Sequence, residues 1–463
     1  MARPRSLSLL IQSLSGEEVD YTRIGVRKAI LLLSIPMVLE LSMESLFALV
    51  DVYFVGRVGT AAVAAVGLTE SVLMILYSIA WGTSMGVTAV VARRTGEKDR
   101  EGSAVSAAQG LWIALAIGVA IGIPTFWFAP EILTLMGGSP DVLATGTTYA
   151  RILFGGNVVI MLLFVINAIF RGAGSAVMAM LSLVVANFFN ILLDPLLIFG
   201  IGPFPEMGVT GAAVATTIGR GIGVAFQLWF LFRGSQRIRL DLRHLKVVPA
   251  VIRRIVEVSI GGVGQFLIAS ASWVFLVSIV ARFGDDAVAG YTIAVRIIIF
   301  SLLPSWGMAN AAATLVGQNL GAGYPDRAER SAWLCGHYNM VFMVFVALIF
   351  WTMSPWFIDL FTSDPAVART GVSALRIICL GYFFYGYGMV LAQAFNGAGD
   401  TVTPTWMNVI CFWLLEIPLG WSLAMVAGWG PQGVFAAVAV AESALAVLSA
   451  LLFRRGRWKL KKV

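Results

Sequence analysis

Charge is scarce in this chain of 463 residues. Asp, Glu, Lys and Arg make up 12% of it, about half the share in soluble globular proteins. A soluble domain of this length is therefore excluded. Histidine is nearly absent, and neither His244 nor His337 stands in a ligand pair. Cysteine is as rare. Cys335, Cys379 and Cys411 have no metal spacing and imply no disulfide framework. No phosphate-binding loop is present, so no ATPase of the chain's own is expected, and no ATPase subunit or cofactor is called for. A cleavable signal pattern is missing too. The weak amphipathic stretch from Leu7 to Leu14 reads instead as a segment on the inner membrane surface.

What fills the chain is apolar. Hydrophobic residues make up 59% and mean hydropathy is +0.87. Many segments run about 20 residues with few charges, enough to cross a hydrocarbon core of about 30 Å. In lipid only helices or closed barrels satisfy their own backbone. Continuous rather than alternating apolar runs mean helices. Twelve spans are predicted, at 29–55, 65–92, 104–128, 146–170, 177–200, 208–232, 256–281, 288–316, 333–353, 372–395, 404–427 and 433–453. The fold class is an all-α integral membrane protein.

A net charge of +7 would suit nucleic acid, but its placement argues otherwise. Put both termini in the cytoplasm. The inner segments then hold Arg3, Arg5, Arg23, Arg27 and Lys28, then Arg93, Arg94, Lys98 and Arg100. They also hold seven basic residues from Arg233 to Arg254 and six from Arg454 to Lys462. The outer loops hold Arg57, Arg282 and Arg369. This is the positive-inside pattern of a cell-membrane protein. The basic tail reads as a topology signal with attraction to anionic lipid. Membrane lipids, not nucleic acid, are the expected partner.

The chain is also a duplication. Shifted by 225 residues, Gly59 lands on Gly284, Trp81-Gly82 on Trp306-Gly307, Gly96 on Gly321 and Pro130 on Pro355. Phe170-Arg171-Gly172-Ala173-Gly174 lands on Phe395-Asn396-Gly397-Ala398-Gly399. Six spans per copy bring the second copy in from the same side, so the repeats are parallel. In transporters built this way, substrate sits between halves that rock to alternate access. The expected division is a cytoplasmic segment 1–28, a first lobe 29–235, a linker 236–255, a second lobe 256–453 and a basic tail 454–463.

Ionisable residues inside a span are expensive, about 2.5 to 3.5 kcal/mol for an Asp at a helix centre. The first span nevertheless carries Glu40, Glu44 and Asp51. At 100° per residue they fall at about 0°, 40° and 20°, one narrow stripe. Asn187, Asn190 and Asp194 of the fifth span fall at about 0°, 300° and 340°, again one face. Asp51 and Asp194 have matching depth, whereas Asn167 of the fourth span lies deeper toward the cytoplasm. Under the 225 shift Asp51 becomes Leu276, Glu44 becomes Ala269 and Glu40 becomes Gln265. Asn167 becomes Ala392, Asn187 Phe412, Asn190 Leu415 and Asp194 Leu419. Groups needed only for packing would recur in both copies. The asymmetry points to a cation or proton site in the first lobe. The plainer reading is interhelical hydrogen bonding, with Glu40 or Glu44 paired to Arg220. In the second lobe Glu416 and Glu442 stand out, with Arg296 and Arg376 as candidate partners. Gly397-Ala398-Gly399-Asp400 fits the GxGD pattern of intramembrane aspartyl proteases. Its repeat, Gly172-Ala173-Gly174-Ser175, makes a duplicated tight turn the better explanation.

These residues resemble a known family. Leu49-Val50-Asp51-Val52-Tyr53-Phe54-Val55-Gly56-Arg57, within Pro36 to Gly59, resembles the first helix of MATE multidrug exporters. Asn190-Ile191-Leu192-Leu193-Asp194-Pro195 resembles the fifth helix of their DinF-like branch. The two glycine turns match the family's turns after the fourth and tenth helices, and the likeness runs from about residue 25 to 455. The resemblance implies twelve helices in two six-helix lobes around a V-shaped cavity. It implies export of bulky, mostly cationic and amphipathic organic compounds by antiport with H+ or Na+. Carried over, the coupling site comprises Asp51, Asn167, Asn190 and Asp194, with Tyr149 nearby. Pro36 matches the proline where the first helix is proposed to bend, and a proline there removes a helix hydrogen bond. NorM-like members carry Na+ ligands where this chain has Ala269 and Tyr385, so that second-lobe site is not expected.

The reading is a cation-coupled multidrug antiporter, with protons favoured over sodium. Its ion site draws on Asp51, Asn190, Asp194, Asn167, Glu40 and Glu44, and its cavity on Tyr149 and Asn187. Were Na+ the ion, Asp51, Asn190 and Asp194 would be its ligands. A duplicated chain needs no second copy to form a two-lobed cavity, so a monomer is expected. The alternative within the fold is a flippase for a lipid-linked saccharide. The acidic character of the membrane-embedded charges favours a cationic drug over a pyrophosphate.

Overall fold

The computed structural model describes residues 5–17, 19–233 and 237–463. Arg3 of the N-terminal basic group and residue 236, where the linker was expected to begin, lie outside them. Among the described residues every regular element is helical.

A short helix α1 (Arg5–Leu14) precedes the long α2 (Val26–Val55). The chain turns at Gly59, whose φ of 146° suits a residue without Cβ, into α3 (Thr60–Gly96). Next comes α4 (Arg100–Trp127), where the Asp99 carboxylate accepts from the Gly102 N–H at 2.8 Å and caps the helix. The first half continues with α5 (Ala129–Leu135), α6 (Pro140–Gly155), α7 (Asn157–Ala173), α8 (Ala176–Ile198) and α9 (Val209–Arg233). The second half runs through α10 (Pro249–Val280), α11 (Asp285–Gly321), α12 (Pro325–Asp359), α13 (Pro365–Cys379) and α14 (Tyr382–Gly397). It ends with α15 (Val402–Asn408), α16 (Ile417–Trp421) and α17 (Pro431–Arg454). π-wound stretches at Val409–Glu416 and Ser422–Val426 join α15 and α16 into one apolar rod.

Among the described residues ten of these rods are long and apolar enough to cross a membrane, and counting each of two bent pairs as one span brings the number to 12. The spans expected at 146–170 and 372–395 are those broken pairs. α6 and α7 meet at 42°, α13 and α14 at 61°. Hydropathy did not reveal the bends because the chain stays apolar on both sides of Gly156 and Gly381. α10 already begins at Pro249, inside the stretch expected to be linker. The preceding turn docks on α4, where Gln109 Nε2 donates to the Lys246 carbonyl at 3.0 Å and Trp112 Nε1 to that of Leu245 at 2.9 Å.

The halves join where α3 lies along α10 and α2 along α11. Glycines let the backbones touch. A Cβ on Gly82 would fall 2.2 Å from the Val263 nitrogen, and one on Gly307 2.7 Å from the Val38 backbone. A Cβ on Gly96 would fall 2.0 Å from the Gln318 carbonyl oxygen, and one on Gly321 2.1 Å from that of Arg93. Each pair maps onto the other under the shift of 225, so the seam has the two-fold symmetry of the duplication. All four approaches lie in the halves of α3 and α11 nearest the basic residues. Toward the other end, Gly67 of α3 meets nothing within 4 Å. The halves converge at the basic end and diverge from it, which gives the V shape.

The basic tail, read from sequence as a topology signal attracted to anionic lipid, packs against both halves. Trp458 is fully buried and stacks on Phe453 at 4.4 Å between ring centres. Lys459 pairs with Glu329 at 2.6 Å, and Lys461 with Asp400 at 3.3 Å. Arg93 of α3 donates to the Lys461 carbonyl at 2.6 Å, and Val463 packs into the core of the first half. The tail is a strap across both halves at the basic end. Asp400 sits in a tight turn at Gly399, with φ +86°, matched by Gly174 with φ +82°. Its carboxylate holds Thr403 and Lys461.

Candidate ion and substrate sites

α2 carries Glu40, Glu44 and Asp51, and each has separate partners. Glu40 pairs with Arg171 of α7 at 2.5 Å. Glu44 pairs with Arg220 of α9 at 3.1 Å. That guanidinium also donates to the Tyr77 hydroxyl at 3.1 Å and lies 4.7 Å over the Phe47 ring. Of the two pairings with Arg220 considered from sequence, the one with Glu44 forms. Glu40 has Arg171 instead.

Asp51 belongs to neither pair, although the Arg220 guanidinium acts on it through space. The Thr216 hydroxyl lies 3.4 and 3.3 Å from its two carboxyl oxygens. Asn190 Nδ2 lies 3.5 Å from the same hydroxyl and 3.4 Å from Asp194 Oδ1. Asp51 and Asp194 are electrostatic neighbours. Asn190 and Asp194 are fully buried. Asn190 Oδ1 and Asp194 Oδ2 have no donor. Among the described residues no Lys, Arg or His forms an ion pair with Asp51 or Asp194. Two neighbouring carboxylates cannot both stay ionised without a proton or cation between them. The oxygens of Asp51, Asp194, Asn190 and Thr216 suit either a proton or a hard cation.

The other expected residues lie around this centre. Tyr149 of α6 is buried beside Asp51. Asn187 Nδ2 donates to the Met43 carbonyl at 2.8 Å, tying α8 to α2. Asn167 belongs to a separate buried cluster. Its Oδ1 accepts from Ser182 at 3.1 Å and from Gln227 Nε2. Pro36 lies inside α2, which runs through it as one helix. Thr216 was missed, because a hydroxyl in an apolar span raises no flag by its type. The duplication could have found it, since Thr216 maps onto Ala441.

The acids of the second half lack the arginines suggested from sequence. Ser272 donates to Glu416 Oε2 at 3.1 Å, and Tyr385 lies beside Glu442. Arg376 Nε donates to the Trp351 carbonyl at 3.2 Å, and Arg296 faces Glu70 of the first half. Among the described residues neither Glu416 nor Glu442 forms an ion pair.

Between the halves lies a cavity lined by α2, α3, α7 and α8 from one side and α10, α11 and α14 from the other. Two parallel helical repeats, a seam at one end, a cavity between them and a carboxyl pair in one repeat define a membrane transporter. The chain belongs to the MatE family, whose model matches residues 36–196 and 263–422, one block in each half. It is 27% identical over 461 residues to the probable multidrug resistance protein NorM of Thermotoga maritima, covering 98% of this chain and 97% of that one. It is 23% identical to the multidrug export protein MepA of Staphylococcus aureus, covering 92% and 93%. A crystal structure of MATE in the straight conformation matches with a TM-score of 0.88 at 28% identity, over 94% of this chain and 97% of that one. A MOP superfamily transporter from Pyrococcus furiosus matches with a TM-score of 0.90 at 27% identity, over 96% and 100%. The polarity of its binding pocket is described as reversed, suggesting a different function for that protein.

Proposed function

We propose that the chain exports amphipathic, mostly cationic organic compounds in exchange for protons, with Na+ the other candidate ion. The observation that carries this is the Asp51–Asp194 pair, clustered with Asn190 and Thr216 and, among the described residues, in no ion pair. Glu40 and Glu44 each pair with an arginine, which ties α2 to α7 and α9. The carboxyl pair must be neutralised by something that comes and goes. The positive-inside pattern supports a cytoplasmic placement of the basic end, and the sealed seam there supports an outward-open state. A proton taken up at Asp51 or Asp194 changes the bonding of α2, and Pro36 weakens that helix where it can bend. The drug leaves, the lobes rock, and the ion departs inward. Coupling requires that the ion bind the two states unequally.

The test is a single monomer per proteoliposome, carrying a fluorescent organic cation under an imposed pH gradient and then a Na+ gradient. Wild type is compared with Asp51→Asn. Movement driven by the pH gradient and abolished by the substitution is the expected result. Movement driven by Na+ alone would change the ion. Undiminished transport by the variant would sink the proposed site. No movement under either gradient would favour the lipid-linked saccharide flippase.

A further inference from the structure

The cavity between the halves has a composition of its own. It is lined at the two-fold seam by Trp81 and Trp306, which correspond under the shift of 225 and stand 5.5 Å apart between ring centres. Phe266 lies 5.0 Å from Trp81 and 5.3 Å from Trp306, and Phe164 lies 6.2 Å from Trp81. This is an aromatic wall contributed by both halves. Opposite in character are two acceptors with nothing to accept. Glu40 is 1% exposed, and while Oε1 takes Arg171, its Oε2 has no donor. Ser84 is 4% exposed and its hydroxyl has no partner. Both residues line the cavity. Three charged residues line it in all, Glu40, Glu44 and Arg171. The guanidinium that answers Glu44 belongs to Arg220, which is not among the lining.

An aromatic wall attracts a cation, through the quadrupole of its rings. A lone carboxylate oxygen beside it asks for more than charge. It asks for an N–H, because a buried acceptor left without a donor costs free energy that a charge-assisted hydrogen bond recovers. A quaternary ammonium supplies the charge and no hydrogen. We infer that this cavity is a subsite for flat aromatic cations whose nitrogen carries a hydrogen, protonated amines and amidines, with Glu40 Oε2 and the Ser84 hydroxyl receiving it. Trp81 and Trp306 hold the ring system. The inference rests on the exporter reading for its cationic cargo and goes beyond it in discriminating among cations. The subsite is separate from the Asp51 centre, because Glu40 and Asp51 are about 16 Å apart along α2 at 1.5 Å per residue. One helix therefore carries both sites.

The probes are 1-naphthylmethylammonium and its N,N,N-trimethyl analogue, which share ring and charge and differ in N–H donors. Their binding to the full chain in nanodiscs is measured by titration calorimetry. Wild type is expected to bind the ammonium about ten-fold more tightly, the weight of one modest charge-assisted hydrogen bond. Glu40→Gln should erase most of that preference. Ser84→Ala, which leaves the Arg171 pair in place, should reduce it by a few-fold. Trp306→Leu should weaken both probes alike. Equal binding of the two probes by wild type would overturn the subsite, as would an undiminished preference in both Glu40→Gln and Ser84→Ala. Efflux under either gradient separates the two proposals. Efflux of both probes without any binding preference leaves the exporter standing and the subsite refuted. An N–H preference lost in Glu40→Gln, with no efflux, supports the subsite and refutes the exporter.

Discussion

The Arg93 guanidinium donates to the Lys461 carbonyl at 2.6 Å and so joins a helix of the first half to the tail of the second. Opening at the basic end must break this bond and draw Val463 from the first half's core. Spin labels at the exposed Lys98 and Tyr324 report the gap between halves. Arg93→Gln should enlarge the population with a longer distance, and Trp458→Ala should do so more strongly. Unchanged distances in both variants would show that the strap does not hold the seam. The strap should also be indifferent to pH near neutrality. The bond from Glu329 raises the Lys459 pKa, partial burial opposes the rise, and Asp326 adds to it. A raised folded-state value gives stability that is whole below the unfolded value of about 10.4. That stability is lost only as pH climbs through the folded value.

Thr216→Val keeps the shape of the side chain and removes the hydroxyl between Asp51 and Asn190. Transport coupled to the ion gradient should fall by about ten-fold or more, the weight of one hydrogen bond to a charged group. Thermal stability should change little. Wild-type exchange rates in this variant would remove Thr216 from the site.

The seam glycines carry a sharper expectation. In Gly307→Ala the added carbon would lie 2.7 Å from the Val38 backbone, and in Gly82→Ala 2.2 Å from the Val263 nitrogen. Backbone cannot yield as a flexible side chain does. Each substitution should destabilise the sealed state by about 1–3 kcal/mol and lower the thermal midpoint. Gly67→Ala, which meets nothing within 4 Å, is the control and should be neutral.

Arg220→Met leaves Glu44, whose side chain is 22% exposed, without its guanidinium. Breaking one side of a fully buried pair costs about 3–5 kcal/mol, and the partial exposure of Glu44 puts the expected loss below that range. The double variant with Glu44→Gln should recover most of that loss. A double variant no more stable than Arg220→Met would show that the pair matters through Tyr77 and Phe47 rather than through charge.

Much of the architecture was legible in the residue order. Continuous apolar runs dictated helices, because lipid offers the backbone no other partner. The 225-residue echo implied two parallel halves, and the loss of Asp51, Asn190 and Asp194 from the second copy pointed to the half that holds the carboxyl pair. Depth along a helix is linear in sequence, so Asp51 and Asp194 could be matched without coordinates. The breaks at Gly156 and Gly381 could not be read, since hydropathy is blind to direction.

Partner choice was the tertiary structure's decision. Sequence placed Glu40, Glu44 and Asp51 on one stripe and could not tell them apart. Only packing brought Arg171 to the first and Arg220 to the second, and left Asp51 with Thr216, Asn190 and Asp194. It likewise denied Glu416 and Glu442 their expected arginines and folded a basic tail into a strap. Composition and periodicity determine what a helix is and which face must be hidden, because those depend on neighbours along the chain. Which carboxylate meets which guanidinium depends on distances of a few ångströms between helices far apart in sequence, and only their packing sets those.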